Sequence, residues 1–369
     1  MEIVPIENKK LLNEFIKFPW QIYQNDPCWV PPLINEIEFL FSEKNPFWKH
    51  AEKKLFLVKE NGRLLGRIAA IIDFNHINFH QEKCGFFGFF EAVNDYSVAE
   101  KLLNVVCKYL KEKNMKLMRG PMNPSTNDEC GFLLEGFDSP AKIMMTYNPQ
   151  YYPEFMERYG LKKAKDFYAY LAPVTGEQIE RLSRVGELVK KREPLLVIRQ
   201  VNLKKFAEEL GRIKQIYNSA WSENWGFVPM TDEEIELMAK RLKPLIIPEI
   251  LQIAEFDSKP AGFLMAIPDY NQVLKKVNGQ LNLIGIIKFL FYKNKIDSLR
   301  SITLGVCPEY RKRGIDALLY LESLKGAMKK GYKYCEYSWI SEENILTQRA
   351  AEMMGGKLYK KYRIYEMKI

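Results

Sequence analysis

Apolar and polar residues alternate from Lys54 to Lys59 and again from Arg63 to Phe74, with Asn61-Gly62 between the two runs. Alternation buries one face of a strand, and Asn-Gly between such runs is a strong hairpin signal. A hairpin is predicted there. Cys84 to Val93 is a continuous aromatic and apolar run, which reads as a third, buried strand. From Val98 to Lys113 the period changes: Leu102, Val105, Val106, Tyr109 and Leu110 fall on one helical stripe. Lys116 to Gly120 predicts a buried strand, Tyr151 to Tyr159 a short helix, and Ala164 to Leu171 a closing strand.

The same grammar then returns. Ile250–Glu255, Ala261–Ile267 and Ser301–Val306 read as strands. Ile315 to Lys330 reads as a helix with Leu318, Leu319, Leu321, Leu324 and Met328 apolar. A strand at Tyr334–Trp339, a helix at Ile345–Met354 and a strand at Lys360–Met367 follow. Local likeness supports a repeat. Glu157 to Tyr170 resembles Glu352 to Tyr365, and Gly62 to Asp73 resembles Ser258 to Asp269, at offsets that agree to within one residue. The order β-β-β-α-β-α-β fits a mixed sheet flanked by helices, so the fold class is α/β (α+β) in two tandem copies. The expected division is 1–172 for the first copy, 173–200 for a junction and 201–369 for the second. Within the junction, Glu177 to Lys191 reads as a helix whose Lys190-Lys191-Arg192 end is solvated.

The second copy carries an insertion between Pro268 and Leu299. Its segment Asn278 to Lys295 reads chiefly as a surface helix covering the sheet, with a lid or membrane-facing helix as the minor alternative.

Composition narrows the chemistry. A chain of 369 residues has room for two or three domains. The six cysteines are scattered without a CxxC pair, and there are three histidines, so no zinc site, metal or disulfide framework is expected. Met1 to Pro5 lacks the layout of a signal peptide. The longest apolar stretch, Leu281 to Tyr292, is broken by Asn282 and Lys288, so no membrane span is expected. These features point to the cytoplasm. The net charge of +9 is spread along the chain and no RNA-binding motif appears.

Chemistry concentrates in Ser301 to Ala317. A strand runs into a turn carrying Arg311, Lys312 and Arg313, then Gly314, then a long helix. Orphan N–H groups and the dipole at a helix N-terminus favour an anion, and Gly314 lets a bulky one approach. A basic helix cap is the competing reading.

Val306-x-Pro308-Glu309-Tyr310-Arg311-x-x-Gly314-x-x-Ala317-Leu318-Leu319 resembles the acyl-CoA signature of the GNAT superfamily of N-acyltransferases, Gln/Arg-x-x-Gly-x-Gly/Ala after the fourth strand. The resemblance is specific over about residues 200 to 369 and general over 50 to 171. It implies an acyl-CoA-dependent N-acyltransferase, an N-acetyltransferase by the commonest family pattern. Acetyl-CoA or another acyl-CoA would be the cofactor, and a small-molecule or protein amine the partner. The resemblance implies cofactor contacts at Leu304, Val306, Arg311, Lys312, Arg313, Gly314, Ile315, Asp316, Ala317 and Asn344. It also places the carbonyl-polarising N–H near Leu304 to Val306.

Three departures qualify it. Asp316 stands where the family has Gly or Ala, and would face pyrophosphate unless it pairs with Arg313 or Lys312. The family's Tyr, seven positions past an Asn (here Asn344), is Ala351, so either Tyr359, Tyr362 or Tyr337 substitutes as the acid or the thiolate leaves with help from water. The corresponding turn of the first copy, Val93 to Val98, lacks Arg and Gly and carries Asp95, so that copy is expected to bind no CoA. No residue is assigned as the base: Glu336 and Glu309 are the nearest carboxylates, a solvated or salt-bridged surface role is the favoured reading for either, and Glu91 on the first copy's strand is a candidate at the central cleft on the substrate side. Trp221 and Trp225 are candidates for the acceptor pocket, against a packing role. Two readings compete with the enzyme: a GNAT-like binding protein without catalysis, and an aminoacyl-tRNA-dependent transferase, since such enzymes also carry two GNAT-like domains.

Overall fold

Asn61 and Gly62 both adopt positive φ, and the hairpin they close joins strands Ala51–Glu60 and Arg63–Asp73. The computed structural model describes all 369 residues. It divides into two compact units, and neither is contiguous in sequence. The first holds Met1–Phe167, Asn271–Asn294 and Lys360–Ile369; the second holds Tyr168–Tyr270 and Lys295–Tyr359.

In the first unit the strand order is Glu2–Pro5, Ala51–Glu60, Arg63–Asp73, Cys84–Ala92 and Leu117–Gly120, followed by the C-terminal part of Lys357–Lys368. Cys84–Phe86 pairs in parallel with Leu117–Arg119. The predicted helical stripe forms helix Tyr96–Glu112, capped by Asp95 accepting from the Ser97 N–H. Its Val98, Leu102, Val106 and Leu110 close a core with Ile68, Phe87 and Tyr365.

In the second unit the order is Tyr334–Ser341, Ser298–Val306, Lys259–Pro268, Leu251–Phe256 and Leu196–Gln200. Helix Ile315–Lys329 covers one face, where Leu318, Leu319 and Leu324 join Leu264, Leu299 and Tyr337 in one core. Helix Phe206–Trp221 covers the other face through Ile216, against Phe263 and Ile253.

The structure departs from three expectations. The contiguous cut at 172 and 201 gives way to three-segment and two-segment units, because two late segments find their partners early in the chain. Tyr365 pairs with Gly120, and the Trp20 indole donates to Asn278 at 3.2 Å. Residues 173–200 are no mere junction: helix Gly176–Arg192 lies on helix Ile315–Lys329, close enough that a Cβ on Gly186 would meet Leu318 and Leu321 at 3.0 and 3.1 Å. The inserted helix, Leu283–Tyr292, covers no sheet. Gly285 is its one buried residue.

Candidate functional site

Strand Ser298–Val306 runs parallel to Tyr334–Ser341, but their pairing ends at Ser301 opposite Tyr337. Both strands continue, so residues 302–306 have no ladder partner on that side. On the other side Met265 pairs with Thr303 while Ala266 pairs with Ser301, which leaves Ile302 as an extra, bulged residue. A bulge turns the strand and frees backbone groups from the ladder. Thr303 Oγ1, beside the bulge, is buried without a hydrogen-bond partner. Buried hydroxyls are normally bonded, so this one has capacity for a ligand's polar group.

The strand ends in a short helical turn, Pro308–Tyr310, and then the basic turn. Lys312 takes φ +63° and Gly314 φ +81°, both left-handed. A Cβ on Gly314 would also lie 2.5 Å from Val189, so glycine is required twice over. With alternating handedness, successive N–H groups converge into a concavity suited to an anion. From Lys312 through Ala317 the backbone N–H groups find no acceptor in the protein.

The cations around this turn have distinct tasks. Arg311 folds back, donating to the carbonyls of Val306 (3.3 Å) and Ala220 (3.1 Å), and so ties the strand to the end of helix Phe206–Trp221. Arg313 pairs with Glu193 at 3.4 Å and lies over the Phe256 ring. Lys312 is exposed and forms no ion pair. Arg192 donates to the Arg313 carbonyl at 2.8 Å, so one end of the run read as solvated is a fourth cation at the turn. Asp316 is exposed in the first helical turn and pairs with neither Arg313 nor Lys312, which corrects that expectation. Arg313 is already engaged by Glu193. The helix dipole accounts for a carboxylate at this position.

Trp221 comes to the same strand. Its indole lies on the Gly305 backbone, where a Cβ would be 2.1 Å from the ring, and it stacks on Tyr217 at 4.9 Å. Trp225 follows in the loop beyond that helix, half-buried. Leu304 and Val306 are half-buried against the core under helix Ile315–Lys329. Asn344 caps helix Ile345–Met353, accepting from the Thr347 N–H at 3.1 Å.

A buried polar cluster sits where the strands begin to part. Glu336 is wholly buried and is the register partner of Arg300. Its carboxylate accepts from Ser338 Oγ at 2.5 Å and from the Tyr359 hydroxyl, and the Arg300 Nε lies 3.7 Å away. Tyr359 is half-exposed. Sequence reasoning named Glu336 and Tyr359 but not Arg300 or Ser338. Tyr362 does not join them: it is buried in the first unit, opposite Leu133. Tyr337 faces Tyr320 inside the core, and burial pushes its hydroxyl well above the usual range. Ala351 is fully buried.

The first unit repeats this geometry with the opening filled. Its parallel pairing stops at Phe86 and Arg119, and the chain then places Met122-Asn123 in the gap. The Phe89 N–H donates to Asn123 Oδ1 at 2.6 Å, and a Cβ on Gly88 would lie 1.7 Å from the Met122 carbonyl. Glu91 there is buried, accepting from Tyr152 (2.7 Å) and Tyr23 (3.0 Å), with Arg67 at 3.7 Å. Burial raises its carboxyl above the ordinary value, against the pull of Arg67. It is a closed network within the unit. His76, Glu82 and Cys84 offer donor atoms within 4.8 Å of one another. Glu82 is already held by two bonds from Arg119 (3.0 and 3.2 Å), and a guanidinium in that position opposes a second cation.

No family model matches the chain. Protein YghO of Escherichia coli (strain K12) is 34% identical over 370 residues, covering 98% of this chain and 94% of its own. The bacterial ceramide synthase of Caulobacter vibrioides (strain NA1000 / CB15N) is 33% identical over 376 residues, covering 99% and 97%. Among solved structures, a tandem GNAT protein from the clavulanic acid biosynthesis pathway superposes with a TM-score of 0.59 at 10% identity, covering 100% of this chain and 98% of its own. A GCN5-related N-acetyltransferase from Sphaerobacter thermophilus gives 0.52 at 11% identity, covering 99% and 95%. At these low identities the solved structures speak to the fold alone.

Proposed function

We propose that this chain, which belongs to one family with the two relatives above and has the fold of the tandem GNAT proteins, transfers an acyl group from an acyl-CoA thioester to an amine borne on an apolar chain. One observation carries the donor half: an unpaired strand edge, residues 302–306, leads into the free N–H groups of Lys312–Ala317. The pantetheine arm would extend the parted strand as a pseudo-strand. The pyrophosphate would lie on the turn, beside Lys312 and the helix dipole. Leu304, Val306 and Gly314–Ala317 are the backbone contacts in this reading, and Arg311 acts by fixing the strand end. The first unit's corresponding gap is filled by Met122-Asn123, which supports one donor site per chain.

The chemistry is modest. A neutral amine attacks the thioester carbonyl, and freed N–H groups near the bulge stabilise the oxyanion. The thiolate leaves toward the positive end of helix Ile315–Lys329. Tyr359 is the group we assign to the proton: its oxygen takes the proton of the attacking amine as its own O–H proton passes to the Glu336 carboxylate, and a proton returns through Tyr359 to the departing thiolate. Glu336, anchored by Arg300 and Ser338, holds Tyr359 in place and carries its proton during the transfer. The acceptor half draws on the relative named as a ceramide synthase, since ceramide is the amide of a long-chain amino alcohol.

The test presents the purified chain with acyl-CoAs from acetyl to palmitoyl, and with either a long-chain amino alcohol or a small polar amine. Thiol release and amide mass are followed. Amide is expected with the long-chain acceptor, and Tyr359→Phe is expected to lower kcat about a hundredfold with acyl-CoA affinity retained. Acyl-CoA binding with no amide from any pair would favour the non-catalytic binding protein. No acyl-CoA binding would overturn the reading altogether.

A further inference from the structure

Helix Leu283–Tyr292 presents apolar side chains to the outside of the first unit. Leu283 is 75% exposed, Ile284 65%, Ile287 60%, Leu290 53% and Phe291 60%. At about 100° per residue these five fall within one arc of about 120°. Gly285 lies on the opposite side, where a Cβ would meet the Gln280 carbonyl at 2.1 Å. The helix is therefore fixed by its inner side and exposed on its outer one. Such a contiguous patch marks an interaction surface.

The mounting of the helix is built. Gly279 takes φ +78° against Trp20, its carbonyl accepts from the Ile34 N–H at 3.0 Å, and Asn271 donates to the Ala141 carbonyl at 2.8 Å. Asn282 caps the helix by accepting from the Gly285 N–H at 2.9 Å. The outward face is thus held in place.

Charge says what covers it. From Asn271 to Ile296 the sequence has lysines at 275, 276, 288, 293 and 295 and no Asp or Glu. Lys288, Lys293 and Lys295 are exposed on or just beyond the apolar helix. A second copy docked face to face would bring these lysines against their own kind. No helix of the molecule is long and apolar enough to cross a membrane. A short apolar arc fringed by lysines instead suits a helix lying in the headgroup region, its apolar side in the acyl chains and its lysines on anionic lipid.

We propose that helix Leu283–Tyr292 seats the protein on the surface of an anionic bilayer. The test floats the full-length chain with vesicles of phosphatidylcholine, alone or mixed with phosphatidylglycerol. The chain is expected to float with the mixed vesicles and to be released as salt rises. The pair Leu283→Ser and Ile287→Ser is expected to lower partitioning at least about tenfold, and Lys288→Glu with Lys293→Glu to abolish the preference for phosphatidylglycerol. All four positions are exposed, and a thermal melt matching the parent's checks that the variants fold. A parent chain that stays unbound to both vesicles, or a double-serine variant that floats equally well, would overturn the proposal. So would a parent dimer that the serine pair converts to monomer without flotation, which would assign the face to a second copy. No acyl-CoA or amine enters the measurement, so its failure is separable from failure of the acyl-transfer reading.

Discussion

His76 is buried between His80 and Phe86, with Glu82 at 3.4 Å. Burial, and then the neighbouring His80, lower its imidazole from 6.5 to about 4, outweighing Glu82. A histidine whose folded value is depressed contributes stability above its unfolded value and loses it as pH falls through the folded one. The loss should therefore lie between pH 6.5 and about 4 and reach at most about 3 kcal/mol. Denaturant titrations across that window are expected to show a shallower acid slope for His76→Asn than for the parent. Equal slopes would mean that His76 charges freely in the fold. Asp316 shows the same local logic with a different outcome. Nothing neutralises it in the protein, so it supports its helix while tempering the positive turn.

At the scale of elements, the proposed donor site depends on one contact between a helix and a strand. Trp221 rests on Gly305, so Gly305→Ala would press a methyl group into the indole. We expect a cost of about 1–3 kcal/mol, read as a fall in Tm, and partial recovery when Trp221→Leu is added. An unchanged Tm would show that the indole is not seated there. Much at this scale is legible from sequence. The hairpin, the strand Cys84–Ala92, both motif elements and helix Tyr151–Tyr159 follow from period and turn chemistry, which are local. The basic turn is legible for the same reason: Arg311 to Gly314 are neighbours in sequence. The Arg300–Glu336–Ser338–Tyr359 cluster is not. Its members meet through parallel pairing and a distant strand, so no spacing announces them. Nor is the exposure of Leu283–Tyr292 legible, because an apolar run reads alike whether protein or something else covers it.

At the scale of the whole molecule, the first unit depends on residues far along the chain. Tyr362, Ile364 and Tyr365 are fully buried in it, and Ile369 donates its N–H to the Lys116 carbonyl at 3.0 Å. Ending the chain at Tyr359 removes a strand and three large core side chains, each worth about 1.5–3 kcal/mol. Hydrogen exchange is expected to show loss of protection in strand Cys84–Ala92. Retained protection there would show that the unit closes without its last strand. The same arrangement sets a timetable for biosynthesis. Domains usually fold in the order they emerge from the ribosome. Here Lys360–Ile369 emerge only after every residue of the second unit has been made. The half of the protein translated first is therefore completed last, and until then it waits with an open sheet edge that a chaperone or a slow release from the ribosome would have to guard.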